Sequence, residues 1–454
     1  MSDGDAEAPQ LVRGLGLAPS VALNVANMVG IGPFITIPVF LQSMHGPQAL
    51  LGWVVAAVLV LCDGLVWSEL GAALPGSGGT YHFLREAFGR YRWGRLVPFL
   101  FIWQFFISGA LELASGYLGS AGYLKFALPH LETALADWGL SHGVNWLAAG
   151  AALVVTLTLC RPIRAIGWLG VVLCAGTLVT ILAVIVSGLA HFDASLLTLP
   201  PDAFEMNWAF WLGLGGAMRI AVYDYLGYYN ICHLGDEVRE PGRTIPRAVI
   251  SAVLLVSALY LTMNLCIIAV VPWQEAMNSE TIAADFMQRL FGQRVAVAFC
   301  GLILWTALAG LFAMTLGYSR IPYAAARQGD FFRPFAWLHP VHHYPAASLL
   351  LIGGLTAAFC FFSLEQVISA AVTVRILVQF IAQIVALHVI RTTRPDVALP
   401  FRMWAYPLPS LIAFAGWLYV LGTAGAWHIA GGGVVIVSGT LAFALWRVCS
   451  RGGT

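Results

Sequence analysis

Charged residues are scarce in this sequence. Only 10% of its 454 residues are Asp, Glu, Lys or Arg, and Lys125 is the only lysine. A soluble globular domain carries roughly 25% charged residues. Hydrophobic residues make up 59% of the chain, and its mean hydropathy is +0.82. This composition excludes an ordinary soluble domain and predicts an all-α membrane protein whose surface largely faces a lipid bilayer.

Paired cysteines are also missing. None of the eight cysteines forms a Cys-x-x-Cys pair, and seven of them lie inside apolar runs, so we interpret them as small apolar side chains. They predict neither a disulfide nor a metal site, and we expect no cofactor. The acidic segment Met1–Gln10 lacks the basic region of a signal peptide. A net charge of +1 gives no sign of a nucleic-acid partner.

Twelve apolar runs are long enough to be candidate membrane spans, because a bilayer core requires roughly 20 apolar residues per helix. They lie at 17–40, 48–72, 96–124, 145–161, 166–190, 208–233, 246–272, 296–320, 345–362, 366–391, 407–424 and 428–447. We number them as spans one to twelve. No soluble domain or long linker separates them.

The basic residues predict the orientation of these spans. Of the 23 Lys and Arg residues, 18 fall at the N-terminus, in every second loop or at the C-terminus, namely Arg13, Arg85, Arg90, Arg92, Arg95, Arg161, Arg164, Arg239, Arg243, Arg247, Arg320, Arg327, Arg333, Arg391, Arg394, Arg402, Arg447 and Arg451. The intervening loops hold only Lys125, Arg289 and Arg294. Positive residues concentrate on the cytoplasmic side of a membrane, so both termini are predicted to be cytoplasmic in a cell membrane. Only an even number of spans satisfies this pattern.

Two spans contain residues that interrupt a helix at bilayer depth. Span one has Gly30, Gly32 and Pro33 within four positions, and span six has Asp224 and Gly227 among tyrosines. Irregular backbone at that depth is tolerated only where it is buried or lines a cavity. Breaks in spans one and six are what an inverted five-plus-five repeat predicts, with the substrate between the repeats. The alternative is a simple Gly/Pro kink without a site, which two matching breaks disfavour.

Four segments resemble the amino acid–polyamine–organocation (APC) superfamily of transporters. They are the break 30–34 (Gly-Ile-Gly-Pro-Phe), the stretch 73–89 with its Pro-Gly-Ser-Gly-Gly-Thr-Tyr and Ala-Phe-Gly, the stretch 225–246 ending in Glu-Pro-Gly-Arg-Thr-Ile-Pro, and the loop 326–330 (Ala-Arg-Gln-Gly-Asp). The resemblance covers nearly the whole chain. It implies a LeuT-type fold of twelve transmembrane helices, with helices one and six broken, and transport by alternating access.

The resemblance also implies how the chain is divided. The expected units are a cytoplasmic tail at 1–16, a first inverted repeat at 17–190 (spans one to five), a second at 208–391 (spans six to ten), spans eleven and twelve at 407–447, and a cytoplasmic tail at 448–454. It further implies that the substrate lies at the two breaks. The expected substrate-binding residues are Val29, Gly30, Ile31, Gly32, Pro33, Phe34, Gly109, Glu112, Tyr223, Asp224, Tyr225, Gly227, Tyr228 and Met314.

The substrate is expected to carry an amine. In amino acid carriers of the superfamily, amides at the first break hold a carboxylate, but Pro33 has no N–H to offer there. Two acids, Glu112 and Asp224, stand where substrate should lie, and an ionisable group at mid-bilayer costs at least about 2.5 kcal/mol. Each acid is alternatively a structural carboxylate paired with an arginine or tyrosine, and Arg375 in span ten is a candidate partner. Tyr223 is expected to be a gate.

Pro33 at the first break and Glu112 in span three both resemble the polyamine-uptake branch of the superfamily. That branch has Gly-Gly-Pro-Phe at the first break and an acid in span three. The motifs are thus nearest to the polyamine-uptake and L-type amino acid transporter branches. A cationic amine is the leading substrate, with Tyr225 and Tyr228 as pocket walls. A neutral L-amino acid, moved by a uniporter or exchanger, is the alternative.

Coupling to protons is expected rather than coupling to sodium. The stretch 307–314 of span eight has no hydroxyl side chain for a sodium ion, and span five has no lysine to replace one. A buried carboxylate could carry the proton, and Glu112 and Asp224 are the candidates, with Asp63 and Glu69 less central. Exchange without net ion movement is left open.

Three other functional classes are less favoured. A membrane enzyme would have to use the sequence His-Pro-Val-His-His at 339–343, which no acid or cysteine flanks, so neither metal binding nor catalysis is expected. A light subunit with a disulfide-linked ancillary partner would need a cysteine in 125–144, where there is none. A passive channel fits the broken helices and mid-membrane acids less well than a closed binding site does.

Overall fold

The computed structural model describes residues 14–451 except 77, 138, 141, 161–165 and 341–343, and describes no side chains at 166–175 or 449–451. Most of each expected tail therefore lies outside the described residues. So do Arg13, Arg161, Arg164 and the last two histidines of the cluster at 339–343. Within these limits the chain is helical, and its one extended contact is an isolated bridge between Leu15 and Val238. The predicted all-α class is confirmed.

The described residues form eighteen α-helices. They are α1 Leu17–Met28, α2 Gly32–Met44, α3 Leu50–Ala73, α4 Thr80–Phe88, α5 Leu96–Ala127, α6 Leu131–Asp137, α7 Gly143–Thr158, α8 Ile166–Ala190, α9 Trp208–Tyr225, α10 Pro241–Ile268, α11 Trp273–Ala276, α12 Ile282–Phe291, α13 Gln293–Arg327, α14 Ala346–Phe359, α15 Leu364–Arg375, α16 Ile381–Thr393, α17 Leu408–Gly422 and α18 Ala426–Arg451. A π-helical segment, Ile376–Phe380, joins α15 to α16.

Several of these helices have the length and composition of membrane spans. Among the described residues six are long and apolar enough, and the bent pair α1 and α2 makes a seventh. Four shorter apolar helices are Gly143–Thr158, Gly176–Ala190, Ala346–Phe359 and Leu408–Gly422. The 32 residues of α5 extend about 48 Å at 1.5 Å per residue, which exceeds the roughly 30 Å bilayer core. The chain is a multi-pass membrane protein, and the count of twelve spans stays a prediction.

The outward faces of these helices are apolar, the reverse of a soluble bundle. On α3, Leu51, Val54 and Val58 are exposed and lie on one face at a spacing of three and four residues. The acids of the same helix, Asp63 and Glu69, are buried. Lipid therefore solvates the aliphatic face, and the polar groups are satisfied inside the bundle.

The first predicted break is present. Helix α1 ends at Met28 and α2 begins at Gly32, with an angle of 53° between them. Pro33 lies in the first turn of α2, where a missing N–H removes no helical hydrogen bond. The proline is therefore compatible with the start of a new helix here.

The second break lies in span six. Helix α9 ends at Tyr225, and the chain continues through two 3₁₀ turns, Asn230–His233 and Gly235–Glu237. Gly227 has φ +107°, and a Cβ there would come within 3.0 Å of the Asn27 carbonyl carbon. Glycine is thus required where the two breaks touch. The second half of this span is not α-helical.

Contacts between loops define two ends of the bundle. At one end, which we call the arginine-rich end, the Gly14 amide donates to the Glu237 carbonyl at 2.9 Å. At the same end, Arg85 pairs with Asp330 at 3.2 Å, and Arg394 donates to the Glu86 carbonyl at 3.0 Å, so that loops following different spans are joined. At the opposite end, Lys125 lies 3.5 Å from Glu280, and the Asp193 amide bonds the Ala269 carbonyl at 3.0 Å. Among the described residues, loops that the arginine pattern assigns to the same side therefore contact one another.

Candidate functional site

A small cavity lies where the two breaks meet. Its volume is about 50 Å³, and it is enclosed by the end of α1, the start of α2, the end of α9, α5 and α13. A single water molecule needs at least about 10–15 Å³ of such space, so the cavity suits a compact solute. Its lining consists of Asn27, Met28, Gly30, Ile31, Gly32, Glu112, Gly116, Tyr223, Asp224, Leu226, Ala307, Gly310, Leu311 and Met314.

Asp224 is a buried acid at this cavity with unused hydrogen-bonding capacity. Its side chain is held by the Thr36 hydroxyl, which donates to Oδ2 at 2.5 Å. Oδ1 is buried and has no hydrogen-bond partner. No basic side chain among the described residues forms an ion pair with Asp224. A buried carboxylate oxygen without a donor is costly, so the site lacks one cationic or donor group.

The backbone of the first break offers donors beside this acid. Among the described residues, the amides of Gly30, Ile31 and Gly32 donate to no protein acceptor, whereas the Phe34 amide bonds the Ile31 carbonyl at 2.9 Å. Free amides at the start of a helix such as α2 attract anionic groups. A Cβ at Gly32 would collide with Oδ1 of Asp224, so glycine lets the two breaks approach.

Glu112 is paired inside the protein. Its Oε2 accepts hydrogen bonds from the Arg375 guanidinium and, at 2.5 Å, from the Tyr318 hydroxyl. Arg375 is 1% exposed and also donates to Ser108 at 3.4 Å and Tyr229 at 3.2 Å. This is the arrangement that the sequence left open as the structural alternative. Glu112 lines the cavity, but Arg375 neutralises its charge.

Arg375 comes from an irregular part of span ten. It is the last residue of α15 and directly precedes the π-helical segment Ile376–Phe380. Such segments are rare and frequently occur at functional sites, because the extra residue per turn redirects side chains. The sequence gives no signal for this distortion.

Tyr223 and Met314 also line the cavity. The Tyr223 hydroxyl is 2.5 Å from the Ser115 hydroxyl, which fixes the ring against α5 at the edge of the cavity. Met314 contributes a flexible apolar side chain from α13. The expected site residues that do line the cavity are Gly30, Ile31, Gly32, Glu112, Tyr223, Asp224 and Met314.

The other seven expected residues lie outside the lining. Tyr225 packs edge-on against Trp53, with ring centroids 5.4 Å apart, and Gly109 lies against the Tyr318 ring. The Phe34 carbonyl accepts a hydrogen bond from Tyr123, so that residue supports the break from behind. The seven are Val29, Pro33, Phe34, Gly109, Tyr225, Gly227 and Tyr228.

Asp63, which the sequence ranks behind Glu112 and Asp224, lies in a separate network. Its carboxylate accepts from the Trp67 indole at 2.9 Å, the Tyr228 hydroxyl at 2.5 Å and the Trp417 indole at 3.1 Å. All three donors are neutral and belong to different parts of the chain. The network ties α3 to the second break and to α17. Glu69 instead forms a bidentate pair with Arg391, at 2.6 and 2.7 Å.

The sequence reasoning missed half of the cavity lining. Four of the lining residues, Ala307, Gly310, Leu311 and Met314, follow one face of α13 at helical spacing, and only Met314 was expected. Glu112 and Gly116 are likewise one turn apart on α5. Helical spacing from each expected residue would have found these neighbours. Asn27, Met28 and Leu226 lie at the breaks themselves.

No cluster of three or more His, Cys, Asp or Glu side chains that could hold a metal ion is present among the described residues. The polar groups that line the cavity include carboxylates, a tyrosine hydroxyl and backbone amides. A cavity between interrupted helices inside an apolar bundle is the arrangement seen in membrane transport proteins whose helices are broken at a binding site.

Comparison with known proteins identifies the family. The family profile described as "Amino acid permease" matches residues 15–442, and the chain belongs to this amino acid transporter family. A Mycobacterium tuberculosis transporter is 31% identical over 355 residues, covering 77% of this chain and 74% of that protein. The serine/threonine exchanger SteT of Bacillus subtilis is 25% identical over 425 residues and 91% of each chain.

Cationic amino acid transporter 4 of Mus musculus is also similar, at 28% identity over 363 residues. That match covers 76% of this chain and 55% of the mouse protein. The chain thus spans about half the length of this relative. The APC resemblance inferred from the motifs is confirmed.

Proposed function

We propose that this chain is a secondary active transporter that moves cationic amino acids or polyamine-type amines across the cell membrane by alternating access. The observation that carries the proposal is Asp224, a buried acid at the cavity with one oxygen lacking a partner. A substrate ammonium provides the missing donors and the missing positive charge. The similar cationic amino acid transporter 4 of Mus musculus agrees with a cationic amino acid as substrate.

Charge balance favours a cation over a neutral solute. Glu112 and Arg375 cancel each other, so Asp224 leaves the site with one negative charge. An uncompensated charge at mid-bilayer costs about 2.5–3.5 kcal/mol. A ligand with a net charge of +1 removes that cost, whereas a zwitterion leaves it in place.

The proposed fold is the LeuT-type arrangement of two inverted repeats, 17–190 and 208–391, with twelve spans and cytoplasmic termini. Two features support it. The break between α1 and α2 touches the end of α9 at one cavity, as a pair of related interrupted helices would. At the arginine-rich end, several of the loops predicted to be cytoplasmic also contact one another.

The proposed coupling uses a proton on Asp224. An ammonium and a proton compete for the same unpartnered oxygen, so substrate binding expels the proton and release takes one up. Glu112 is a poorer proton carrier, because protonating it would leave Arg375 buried without its counter-ion. This arrangement predicts exchange of substrate for protons.

A neutral L-amino acid uniporter or exchanger is the second candidate. It is favoured by the free amides at the start of α2, which suit a carboxylate, and by a cavity of only about 50 Å³. The similarity to the serine/threonine exchanger SteT, which covers 91% of this chain, supports this second candidate. The two candidates differ in whether Asp224 binds a surplus positive charge.

Uptake into proteoliposomes tests the proposal, with labelled arginine, lysine, agmatine, putrescine, spermidine and serine. Asp224→Asn removes a charge-assisted hydrogen bond worth about 1.5–3 kcal/mol, so the affinity for cations falls about 10- to 150-fold. Asp202→Asn is the matched control, because Asp202 is an exposed loop acid. The dependence of uptake on pH should also weaken in Asp224→Asn alone.

Unchanged cation uptake and unchanged pH dependence in Asp224→Asn would refute the site assignment. Uptake of serine without uptake of any cation would favour the second candidate. Uptake of polyamines but not of arginine or lysine would restrict the substrate to amines without a carboxylate.

A further inference from the structure

Two stripes of buried polar side chains lead from the cavity towards the arginine-rich end. Each stripe has three members that follow one another every fourth residue, and one stripe is on α5 and the other on span ten. They are Gln104, Ser108 and Glu112 on α5, and Arg375, Gln379 and Gln383 on span ten. Polar groups that are buried so deeply need hydrogen-bond partners, because bulk water no longer solvates them.

The two stripes lie side by side. The Arg375 guanidinium donates to Glu112 and, at 3.4 Å, to the Ser108 hydroxyl, so the members nearest the cavity are in contact. Helix α5 begins at the arginine-rich end, and α16, the last part of span ten, ends there. Because the two helices run in opposite directions, one turn further from the cavity reaches Gln104 on α5 and Gln379 on span ten. These two amides therefore lie at about the same depth.

The members further from the cavity have too few hydrogen-bond partners. Both polar atoms of the Gln104 side chain, Nε2 and Oε1, are buried and have no partner among the described residues. The same is true of Oε1 of Gln379 and Nε2 of Gln383. The Thr80 hydroxyl serves their other atoms, since it donates to Oε1 of Gln383 at 2.9 Å and accepts from Nε2 of Gln379 at 3.4 Å. Two donor groups and two acceptor oxygens are thus left unsatisfied on two facing helices.

Thr80 connects this polar column to the arginine-rich end. It is the buried first residue of α4, and Arg85 on the same helix has a side chain that is 41% exposed. The unpartnered amides therefore lie between the exposed part of α4 and the buried ion pair of Glu112 and Arg375. We call the two stripes together with Thr80 the polar column.

We propose that the polar column binds water molecules, which join Gln104 on α5 to Gln379 and Gln383 on span ten by hydrogen bonds. A buried water molecule makes about three hydrogen bonds to polar groups that otherwise lack partners. Water suits a mixture of donors and acceptors, whereas an anion would use only the donors and a metal cation only the acceptors. The bound water holds the two helices together beside the ion pair of Glu112 and Arg375. The proposal is independent of the substrate carried by the chain.

The unfolding temperature of the purified full chain tests the proposal, because Gln104→Leu should shift it in opposite directions for a hydrated and a dry column. In a hydrated column the variant deprives the bound water, and through it the amides of Gln379 and Gln383, of partners, so the unfolding temperature falls. In a dry column it removes an unsatisfied polar group, so the unfolding temperature rises. Gln288→Leu is the matched control, because Gln288 is exposed on α12 and should change the temperature little. A rise in Gln104→Leu, or an equal fall in both variants, would overturn the proposal.

Hydroxyl-radical labelling detects the water itself and needs only the wild type. X-ray irradiation turns bound water into radicals that label adjacent side chains, which mass spectrometry then identifies. Tyr229, whose hydroxyl accepts from Arg375 at 3.2 Å, is the reporter, and the buried Tyr123, bonded to the Phe34 carbonyl, is its matched control. We expect faster labelling of Tyr229 than of Tyr123, and loss of this difference in Gln104→Leu. Equal labelling in the wild type would overturn the proposal, even with a lower unfolding temperature in Gln104→Leu, since the amides would then bond one another directly.

Discussion

The ion pair between Glu112 and Arg375 can be tested by removing one charge at a time and then both. Arg375→Gln leaves Glu112 buried with only the Tyr318 hydroxyl as a donor. Glu112→Gln leaves Arg375 with three hydroxyl acceptors, those of Ser108, Tyr229 and Tyr318. The two single variants are therefore not equivalent.

The expected magnitudes follow from these partners. Breaking a buried ion pair by removing one side costs about 3–5 kcal/mol, because the remaining charge is uncompensated. Arg375→Gln should reach that range, and Glu112→Gln should cost less because the arginine keeps its hydroxyl partners. The double variant carries no buried charge and should cost only about 1–2 kcal/mol. The coupling between the two positions should then exceed about 2 kcal/mol.

The assay is reversible unfolding in mixed micelles, which gives the free energy of unfolding for the wild type, the two single variants and the double variant. Additive effects, within about 0.5 kcal/mol, would refute the reasoning, because they would mean that Glu112 and Arg375 do not stabilise each other. Substrate uptake by the double variant separates the roles of Glu112. Retained uptake indicates a structural pair, and lost uptake in a folded double variant indicates that Glu112 also contacts the substrate.

Two further predictions concern the breaks and the Asp63 network. Gly32→Ala should lower uptake at least about tenfold at normal expression, because the new Cβ displaces Asp224. The control Gly301→Ala, whose Cβ meets open space on α13, should transport normally. Equal uptake by the two variants would contradict the proposed role of the break. Asp63→Ala should destabilise the protein by about 3 kcal/mol or more, since three buried donors lose their acceptor at about 1–3 kcal/mol each. Asp63→Asn keeps one acceptor oxygen and should unfold at a higher temperature than Asp63→Ala; the reverse order would show that the network does not stabilise the fold.

Much of the fold could be read from the apolar runs. The runs 48–72, 96–124 and 296–320 correspond to α3 (Leu50–Ala73), α5 (Leu96–Ala127) and α13 (Gln293–Arg327). The agreement has a physical cause, because a helix that faces lipid must be apolar along its whole buried length. Arginine spacing likewise assigned to one side the loops of Arg85, Asp330 and Arg394, which contact one another.

Other parts of the fold could not be read in this way. The run 208–233 predicts an interrupted span six, but it does not show that only Trp208–Tyr225 is an α-helix and that 3₁₀ turns follow. The short helices α4 and α12 lie in loops that have no long apolar run. The π-helical segment 376–380 depends on how span ten packs, and its apolar residues look like those of any α-helix.

Part of the cavity lining could be predicted from the sequence, and part could not. Residues that interrupt an apolar helix can be recognised from the sequence alone. Gly30, Gly32, Tyr223 and Asp224 were therefore expected at the breaks, and they line the cavity. Residues that line the cavity from an uninterrupted helix, such as Gly116 and Gly310, look like ordinary packing residues in the sequence. The orientation of Tyr225 and Tyr228, which face other helices, could not be deduced from their position beside the break.

The sequence by itself determined that the protein lies in a membrane, where its long apolar helices run and where two helices are interrupted. These properties depend on local composition, and the low dielectric of the bilayer enforces them span by span. Only the tertiary structure decided which acid is neutralised. Arg375 is 263 residues from Glu112 in the chain and pairs with it, while Asp224 receives only the Thr36 hydroxyl. That difference depends on which helices pack together, and it distinguishes a carboxylate paired with an arginine from one that keeps an unpartnered oxygen.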